Sequence, residues 1–206
     1  QGWLSVSGVA DLSQPINGGS FVRSAGWAQV EFSGRLGLDG FAVTTSTAGE
    51  TLAWGNIACR SFTIYSDDVS GAFEYAVDGG AWTQVASGGT AAIRKTVTPE
   101  LPEGRHSLVV RSVNTSPLRV CGVFAPGTAS GVEISQAGHG GSDSGNWRTF
   151  FPGVAAILTE IDPDVVFVAL TTNDARANRA PSTFKNYMET FVAAIRAAVP
   201  NAAIEL

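Results

Sequence analysis

The sequence predicts an α/β protein that has a parallel sheet and, in addition, a separate antiparallel β unit. The segment VVFVAL, residues 165–170, is an apolar run of strand length, typical of a central parallel strand covered on both faces. Helical apolar spacing before and after it gives the strand, loop, helix order of parallel sheets. Short strand patterns separated by turns fill the middle of the chain and indicate the antiparallel unit.

Composition limits the classes of function. The chain has 206 residues, of which 44% are hydrophobic and 15% charged, so it can bury a core and is too apolar for intrinsic disorder. A formal net charge of -5 without a basic run makes nucleic acid an unexpected partner. No apolar stretch approaches the roughly 20 residues of a membrane span. Cys59 and Cys121 are too few for a cysteine zinc site and leave two alternatives, one disulfide or two buried thiols.

One helix is predicted in the first forty residues. Ser24 is its N-cap and Gly37 its end, because Trp27, Val30 and Leu36 lie roughly on one helical face.

The middle of the chain predicts strands. Residues 54–124 contain six short patterns, SFTIY, AFEYAV, AWTQV, AIRKTV, HSLVVRSV and RVCGVF. Asp78, Gly79 and Gly80 predict a tight hairpin turn between the second and third, since glycine supplies the positive φ that such turns need. Residues 125–131 are then predicted as a linker.

The last third of the chain alternates strand and helix patterns. In order, these are a strand at 132–136, a glycine-rich loop at 137–146, a helix at 147–161, a strand at 165–170, a polar loop at 171–181, a helix from Ser182 to Val199, and a strand beginning at AIEL.

Topology selects two loops as the candidate site. Ligands of open α/β sheets bind beyond the carboxyl ends of the strands, which here are followed by residues 137–146 and 171–181. The first loop, AGHGGSDSGN, lacks the lysine of a P-loop and does not match the dinucleotide fingerprint, but its N–H groups are suited to stabilising an oxyanion. In the second loop, Asn173 and Asp174 are interpreted either as a plain Asx turn or as site residues.

Two motifs together resemble those of a known enzyme family. GGSDS at residues 140–144 and LTTND at residues 170–174 resemble blocks two and three of the SGNH hydrolases, also called GDSL-like esterases. The resemblance implies that the Gly141 N–H and the Asn173 side-chain amide are oxyanion-hole donors. Thr171 departs from the family, which usually has glycine there.

The same resemblance implies a fold and a domain organisation. The expected fold is a three-layer, flavodoxin-like parallel sheet of SGNH type with an inserted antiparallel β domain. The expected divisions are residues 1–50 and 128–206 for the α/β domain and 51–127 for the insertion. The sequence contains neither a Gly-Asp-Ser motif for the nucleophile nor an Asp-x-x-His motif for the base. QGW at residues 1–3 is interpreted as lying just downstream of such a Gly-Asp-Ser, and the base is expected beyond AIEL.

The implied activity is serine-dependent hydrolysis of an acyl ester on a carbohydrate or a lipid. His139, Ser142 and Asp174 are expected to contact substrate, and pairing of His139 as a base with Ser142 or Ser144 is the less favoured alternative. No metal or organic cofactor is expected. The resemblance extends to proteins of phage tails and to secreted enzymes, so an extracellular or virion location, with assembly into a larger oligomer or virion, is the expectation. The alternative is a non-catalytic glycan-binding or structural module of a virion or adhesin.

Overall fold

The computed structural model describes residues 2–6, 19–69, 71–127 and 131–206, and most of its regular structure is antiparallel β. The strands are β1 (Gly2–Leu4), β2 (Ser20–Arg23), β3 (Ala28–Glu31), β4 (Phe41–Thr45), β5 (Thr51–Ala58), β6 (Thr63–Asp67), β7 (Phe73–Val77), β8 (Thr83–Val85), β9 (Ile93–Val97), β10 (Arg105–Ser112), β11 (Leu118–Ala125), β12 (Val165–Phe167) and β13 (Ala203–Glu205). The helices are α1 (Ser144–Phe150), a 3₁₀ turn (Phe151–Gly153), α2 (Ala155–Ile161), α3 (Thr172–Arg176) and α4 (Pro181–Ala198).

Two antiparallel sheets form a β-sandwich. Sheet A has the order β3-β4-β11-β6-β9, with β1 also paired to β11, and sheet B has the order β2-β5-β10-β7-β8. Alternate residues of a strand point to opposite faces, so the central strands of both sheets each give one set of side chains to the shared core. Buried members of that core include Val43, Ile64 and Val120 from sheet A, and Leu52, Trp54, Leu108 and Val110 from sheet B.

The helices cover the other face of sheet A. Tyr65 and Cys121 of this sheet belong to a second buried cluster, together with Trp147, Ile157 and Ile195 of the helices. The short parallel pair β12-β13 lies on the helix side, where Val166 and Ile204 pack against the same cluster. The layers are therefore sheet B, sheet A and the helices with β12-β13. Within the described ranges, none of the helices is long and apolar enough to cross a bilayer.

The prediction of a three-layer flavodoxin-like parallel sheet with an inserted β domain is wrong. Among the described strands, parallel pairing is confined to β12 and β13, and β1 to β4 belong to the antiparallel sheets. Residues 132–136 form no strand, and Val132 is 91% exposed. Phe167 is 79% exposed, so the apolar run 165–170 is covered on one face only rather than on both.

The predicted helix from Ser24 is also wrong, because its apolar residues do not share one face. Trp27 packs in the core between the sheets, whereas Leu36 belongs to the cluster beneath the helices. Strand β3 occupies this segment, and Ser24 lies in a turn where its hydroxyl accepts a hydrogen bond from the Thr51 N–H over 2.8 Å.

The six strands predicted between residues 54 and 124 are confirmed as β6 to β11. The hairpin turn is confirmed as well, since Asp78 and Gly79 have φ of 52° and 69° between β7 and β8. The helix predicted at 147–161 is present, but the 3₁₀ turn containing Pro152 divides it. The final strand appears as β13. Gln1, which begins the interpreted QGW segment, and residues 128–130 of the predicted linker lie outside the described residues.

Candidate functional site

The glycine loop, residues 137–146, leads directly into α1 and is fixed at that end by a capping box. The Asp143 carboxylate accepts a hydrogen bond from the Asn146 N–H over 2.9 Å, and Asn146 Oδ1 accepts one from the Asp143 N–H over 3.0 Å. These reciprocal bonds satisfy N–H groups at the start of the helix, so the last turn of the loop has a defined conformation.

The second predicted loop, residues 171–181, lies against the glycine loop. Asn173 Nδ2 donates to the Ser142 carbonyl oxygen over 2.8 Å. Asp174 is buried and accepts two hydrogen bonds from Ser144, one from the N–H over 3.0 Å and one from Oγ over 2.6 Å. The structure therefore brings together the two loops that the sequence selected, although the sheet predicted to align them is not the one observed.

Both predicted oxyanion donors retain an N–H that can donate. Gly141 is exposed with φ of 81°, and a Cβ there would meet open space, so the chain leaves room above this residue. No acceptor among the described residues takes the Gly141 N–H. The half-buried amide of Asn173 has two hydrogens, of which one is used on Ser142. The roles of Gly141 and Asn173 in an oxyanion hole stay predictions.

Arg179 holds the two loops from the side. Its Nε donates to the Asp174 carboxylate and its Nη2 to the Asp143 carboxylate, so one guanidinium joins both loops. The ring of Tyr187 on α4 lies 4.9 Å from this guanidinium and supports it. Sequence reasoning did not select Arg179. The sequence does contain a signal for it, since Arg179 is a cationic residue five positions after Asp174 in the same loop, and the glycine loop contains the acidic residue Asp143.

The Asp174 carboxylate is held in its charged form. Burial by itself would raise the pKa of Asp174, but the hydrogen bonds from Ser144 and the Arg179 guanidinium outweigh it and hold that pKa below its usual value. A carboxylate with a lowered pKa accepts hydrogen bonds well and removes protons poorly. Asp174 is therefore suited to fixing Ser144 in place rather than to activating it.

Ser142 has both sides of its hydroxyl occupied. Its Oγ donates to the His139 carbonyl oxygen over 2.7 Å and accepts from Trp147 Nε1 over 2.8 Å. The side chain is buried, and these two bonds tie the glycine loop to the first turn of α1. In this structure Ser142 has the environment of a loop-fixing residue.

His139 points into the protein, towards sheet A. Its ring stacks on Phe41, with centroids 3.9 Å apart and planes at 8°, and Nδ1 donates to the Asp39 carbonyl oxygen over 3.1 Å. Burial lowers the pKa of His139, so the neutral ring is favoured. The protein partners of the ring nitrogens are Asp39 and Glu31 rather than a serine hydroxyl. The predicted roles of His139, Ser142 and Asp174 as substrate contacts remain predictions, since each has intramolecular partners here.

A cavity of about 490 Å³ opens elsewhere, at one end of the sandwich. Its lining includes Thr44, Asp67, Asn114, Ser116 and Arg119. None of the predicted site residues lines it. Its polar surface belongs to the β unit and is separate from the contact between the two loops.

Comparison with known proteins supports the fold. No protein-family model matches the sequence, and no curated protein matches it. A solved structure described as a peptidoglycan O-acetylesterase in action superposes with a TM-score of 0.73 at 18% identity. The match covers 98% of this chain and 56% of the other, so the chain spans little more than half of that esterase.

Two further solved structures resemble the chain less well. A family two carbohydrate esterase from Cellvibrio japonicus has a TM-score of 0.35 at 13% identity, covering 90% of this chain and 77% of the other. A two-domain esterase active on acetylated mannans has a TM-score of 0.36 at 14% identity, covering 54% and 37%. Only the first of the three matches is close enough to compare folds: the chain shares its fold with part of a peptidoglycan O-acetylesterase.

Proposed function

We propose that this chain carries the oxyanion-hole donors of a serine ester hydrolase of SGNH type that acts on acylated carbohydrate. The observation that carries the proposal is the 2.8 Å bond from Asn173 Nδ2 to the Ser142 carbonyl, which joins the loops of the two donors. It leaves one Asn173 hydrogen and the Gly141 N–H free to bind an oxyanion. The shared fold with a peptidoglycan O-acetylesterase supports an acyl ester on a glycan as the substrate class.

The chemistry needs a nucleophile and a base in addition to these donors. A serine attacks the acyl carbon, an imidazole takes the serine proton, and the oxyanion of the tetrahedral intermediate accepts hydrogen bonds from preorganised N–H groups. The 206 residues contain no Gly-Asp-Ser and no Asp-x-x-His. A nucleophile and base supplied by further segments of a longer polypeptide are therefore part of the proposal.

The setting of the activity is also part of the proposal. An acylated glycan is the favoured substrate and an acylated lipid the second choice. An extracellular or virion location, including a phage tail, would bring such an enzyme to a cell-surface polymer. A non-catalytic binding or structural module remains the alternative, and the assay below separates the two.

The experiment compares the complete open reading frame with its Asn173→Ala variant. Release of acetate from O-acetylated peptidoglycan and hydrolysis of nitrophenyl acetate are measured, together with the melting temperature. Loss of one oxyanion donor lowers kcat by about 10² to 10³ with KM little changed. Asn186→Ala, at an exposed amide on α4, is the matched control.

Two outcomes would reject the proposal. A complete reading frame without esterase activity would favour the non-catalytic module. An Asn173→Ala enzyme with unchanged kcat would remove the oxyanion role. A variant that loses activity only in proportion to its loss of folded protein would count against that role as well.

A further inference from the structure

Trp82 differs from the other tryptophans because it lies on the surface. It is 41% exposed and precedes strand β8 at the edge of sheet B. The remaining four of the five tryptophans are buried, namely Trp3, Trp27, Trp54 and Trp147. The exposed part of an indole ring is not stabilised by burial in the folded protein, so this apolar surface is available to a ligand.

One charged side chain contacts this indole, and two further polar side chains lie on the same face of the sheet. The Arg111 guanidinium carbon lies 4.0 Å from the Trp82 ring centroid, and Arg111 Nε donates to Glu74 Oε1 over 2.6 Å. Arg111 is paired with Glu74 across β10 and β7, and Glu74 with Gln84 across β7 and β8. Directly paired residues project on the same side of a sheet, as do residues two apart such as Trp82 and Gln84.

This side of sheet B faces away from the sandwich core. Tyr75 and Val110, the strand neighbours of Glu74 and Arg111, point into the core. A second row on the outer face is apolar and small, with Val22 paired to Ala53 and Ala53 to Val109. This row crosses sheet B beside the row of Arg111, Glu74 and Gln84, and an extended chain can lie along it.

We infer that Trp82, with Arg111, Glu74 and Gln84, forms a binding platform for a pyranose ring of a glycan chain. The Arg111 guanidinium lies over one face of the indole, so the sugar would stack on the opposite face, whose electronegative surface attracts the polarised C–H groups of a sugar ring. The guanidinium, carboxylate and amide supply donors and acceptors for the equatorial hydroxyl groups. Because Arg111 and Glu74 neutralise each other, the platform suits a neutral sugar better than a phosphate or a nucleic acid.

The platform is separate from the candidate esterase site. The glycine loop and residues 171–181 lie with the helices on the sheet A side, and the platform lies on the outer face of sheet B. The platform could therefore bind one part of a glycan polymer while an ester group on another part of it occupies the candidate esterase site. The choice of a cell-wall type glycan rests on the proposed function, whereas the stacking site rests on the geometry of Trp82.

The test titrates the 206-residue chain with chitotetraose, a soluble β-1,4-linked oligomer of N-acetylglucosamine, and follows tryptophan fluorescence and acrylamide quenching. Since Trp82 is the exposed tryptophan, binding is expected to shift the emission to the blue and to reduce quenching saturably. Trp82→Ala should weaken binding measured by calorimetry at least about tenfold, and Trp82→Phe should weaken it less. Val97→Ala, which truncates an exposed apolar residue on sheet A, should bind as the wild type does.

Binding that survives Trp82→Ala unchanged would overturn the inference, as would absence of binding to both chitotetraose and sedimented peptidoglycan. A concentration-dependent dimer that Trp82→Ala abolishes would also overturn it, since the indole would then be a contact between copies of the chain. The assay needs no ester turnover. Failure of the platform and failure of the esterase proposal are therefore distinguishable.

Discussion

Asp174 binds Ser144 through both of its carboxylate oxygens, Oδ2 to the N–H over 3.0 Å and Oδ1 to Oγ over 2.6 Å. The two residues lie in different loops, thirty positions apart in the chain. These two bonds, together with the bond from the Asn173 amide to the Ser142 carbonyl oxygen, fix the position of one loop relative to the other. Any function that needs donors from both loops depends on this contact.

Replacing Asp174 is expected to destabilise the protein. Asp174→Ala leaves the buried Ser144 N–H and hydroxyl without acceptors and removes one partner of Arg179, a loss of about 2 to 4 kcal/mol in the free energy of unfolding. Asp174→Asn keeps one acceptor oxygen and should lose less. Urea denaturation measures both, with Asp164→Ala as an exposed control. A value for Asp174→Ala within about 0.5 kcal/mol of wild type would show that the loops are held by other contacts.

The same carboxylate contributes a pH dependence of known sign. Because the folded pKa of Asp174 is lower than its unfolded value, its stabilisation is present above the unfolded pKa and is lost as pH falls through the folded pKa. The wild type should thus lose its advantage over Asp174→Asn in acid. A constant difference between the two proteins from neutral pH to strongly acidic pH would contradict this assignment.

Asp39 is expected to behave in the opposite way. It is buried beside His139, and burial raises its pKa from 3.8 to about 6. Its contribution to stability is therefore complete below pH 3.8 and is lost as pH rises through about 6. A rise of the pKa from 3.8 to about 6 corresponds to a loss of about 3 kcal/mol in the free energy of unfolding once Asp39 is ionised.

Asp39→Asn removes this ionisation and should stabilise the protein at pH 8 relative to wild type, with little difference near pH 4. The measurement is the difference in unfolding free energy between the two proteins across that range, which cancels the titration of other groups. Asp164→Asn is the exposed control. If the difference in unfolding free energy does not grow between pH 4 and pH 8, the pKa of Asp39 is not raised in the folded protein.

The sequence predicted local structure better than it predicted the assembly of layers. The segments of β6 to β11 are rich in β-branched and aromatic residues and end at clear turns, so their sequence pattern alone identifies them. Trp27 and Val30 have helical spacing as well, but they pack in different cores, and periodicity in the sequence does not show which core a side chain joins. The exposed face of Phe167 is a second case, since an apolar run does not reveal whether both faces are covered.

The two candidate loops were selected from the expected strand order and from two motifs, but the bonds that join them were not predicted. The sequence identified Asn173 and Asp174, but the groups that bind them are a carbonyl, a hydroxyl and a guanidinium whose positions depend on tertiary packing. Arg179 is the clearest example, because its role depends on Asp143 in the other loop.

The cysteines are expected to be unreactive in the folded protein. Cys59 and Cys121 are free and buried, and burial raises their pKa values to about 11 and about 12. Both the closed surroundings and the small thiolate fraction slow reaction with a disulfide reagent. At pH 8 the native chain should release almost no thionitrobenzoate from Ellman's reagent, and the urea-unfolded chain two equivalents. Val97→Cys provides an exposed positive control, and rapid native labelling would contradict the buried positions.

The last prediction is that the 206-residue chain by itself hydrolyses no ester and is not labelled by a fluorophosphonate. Ser142 Oγ donates to the His139 carbonyl oxygen, and Ser144 Oγ donates to Asp174, whose lowered pKa makes it a poor base. Neither hydroxyl is positioned against an imidazole, and oxyanion donors without a nucleophile form no acyl-enzyme. Intact-mass analysis after incubation with the probe is the measurement, and the complete reading frame, if it has a Gly-Asp-Ser serine, is the positive control. A probe adduct mapped to Ser142 or Ser144 would contradict the assignment of these residues to loop fixation and would make the glycine loop itself the source of the nucleophile.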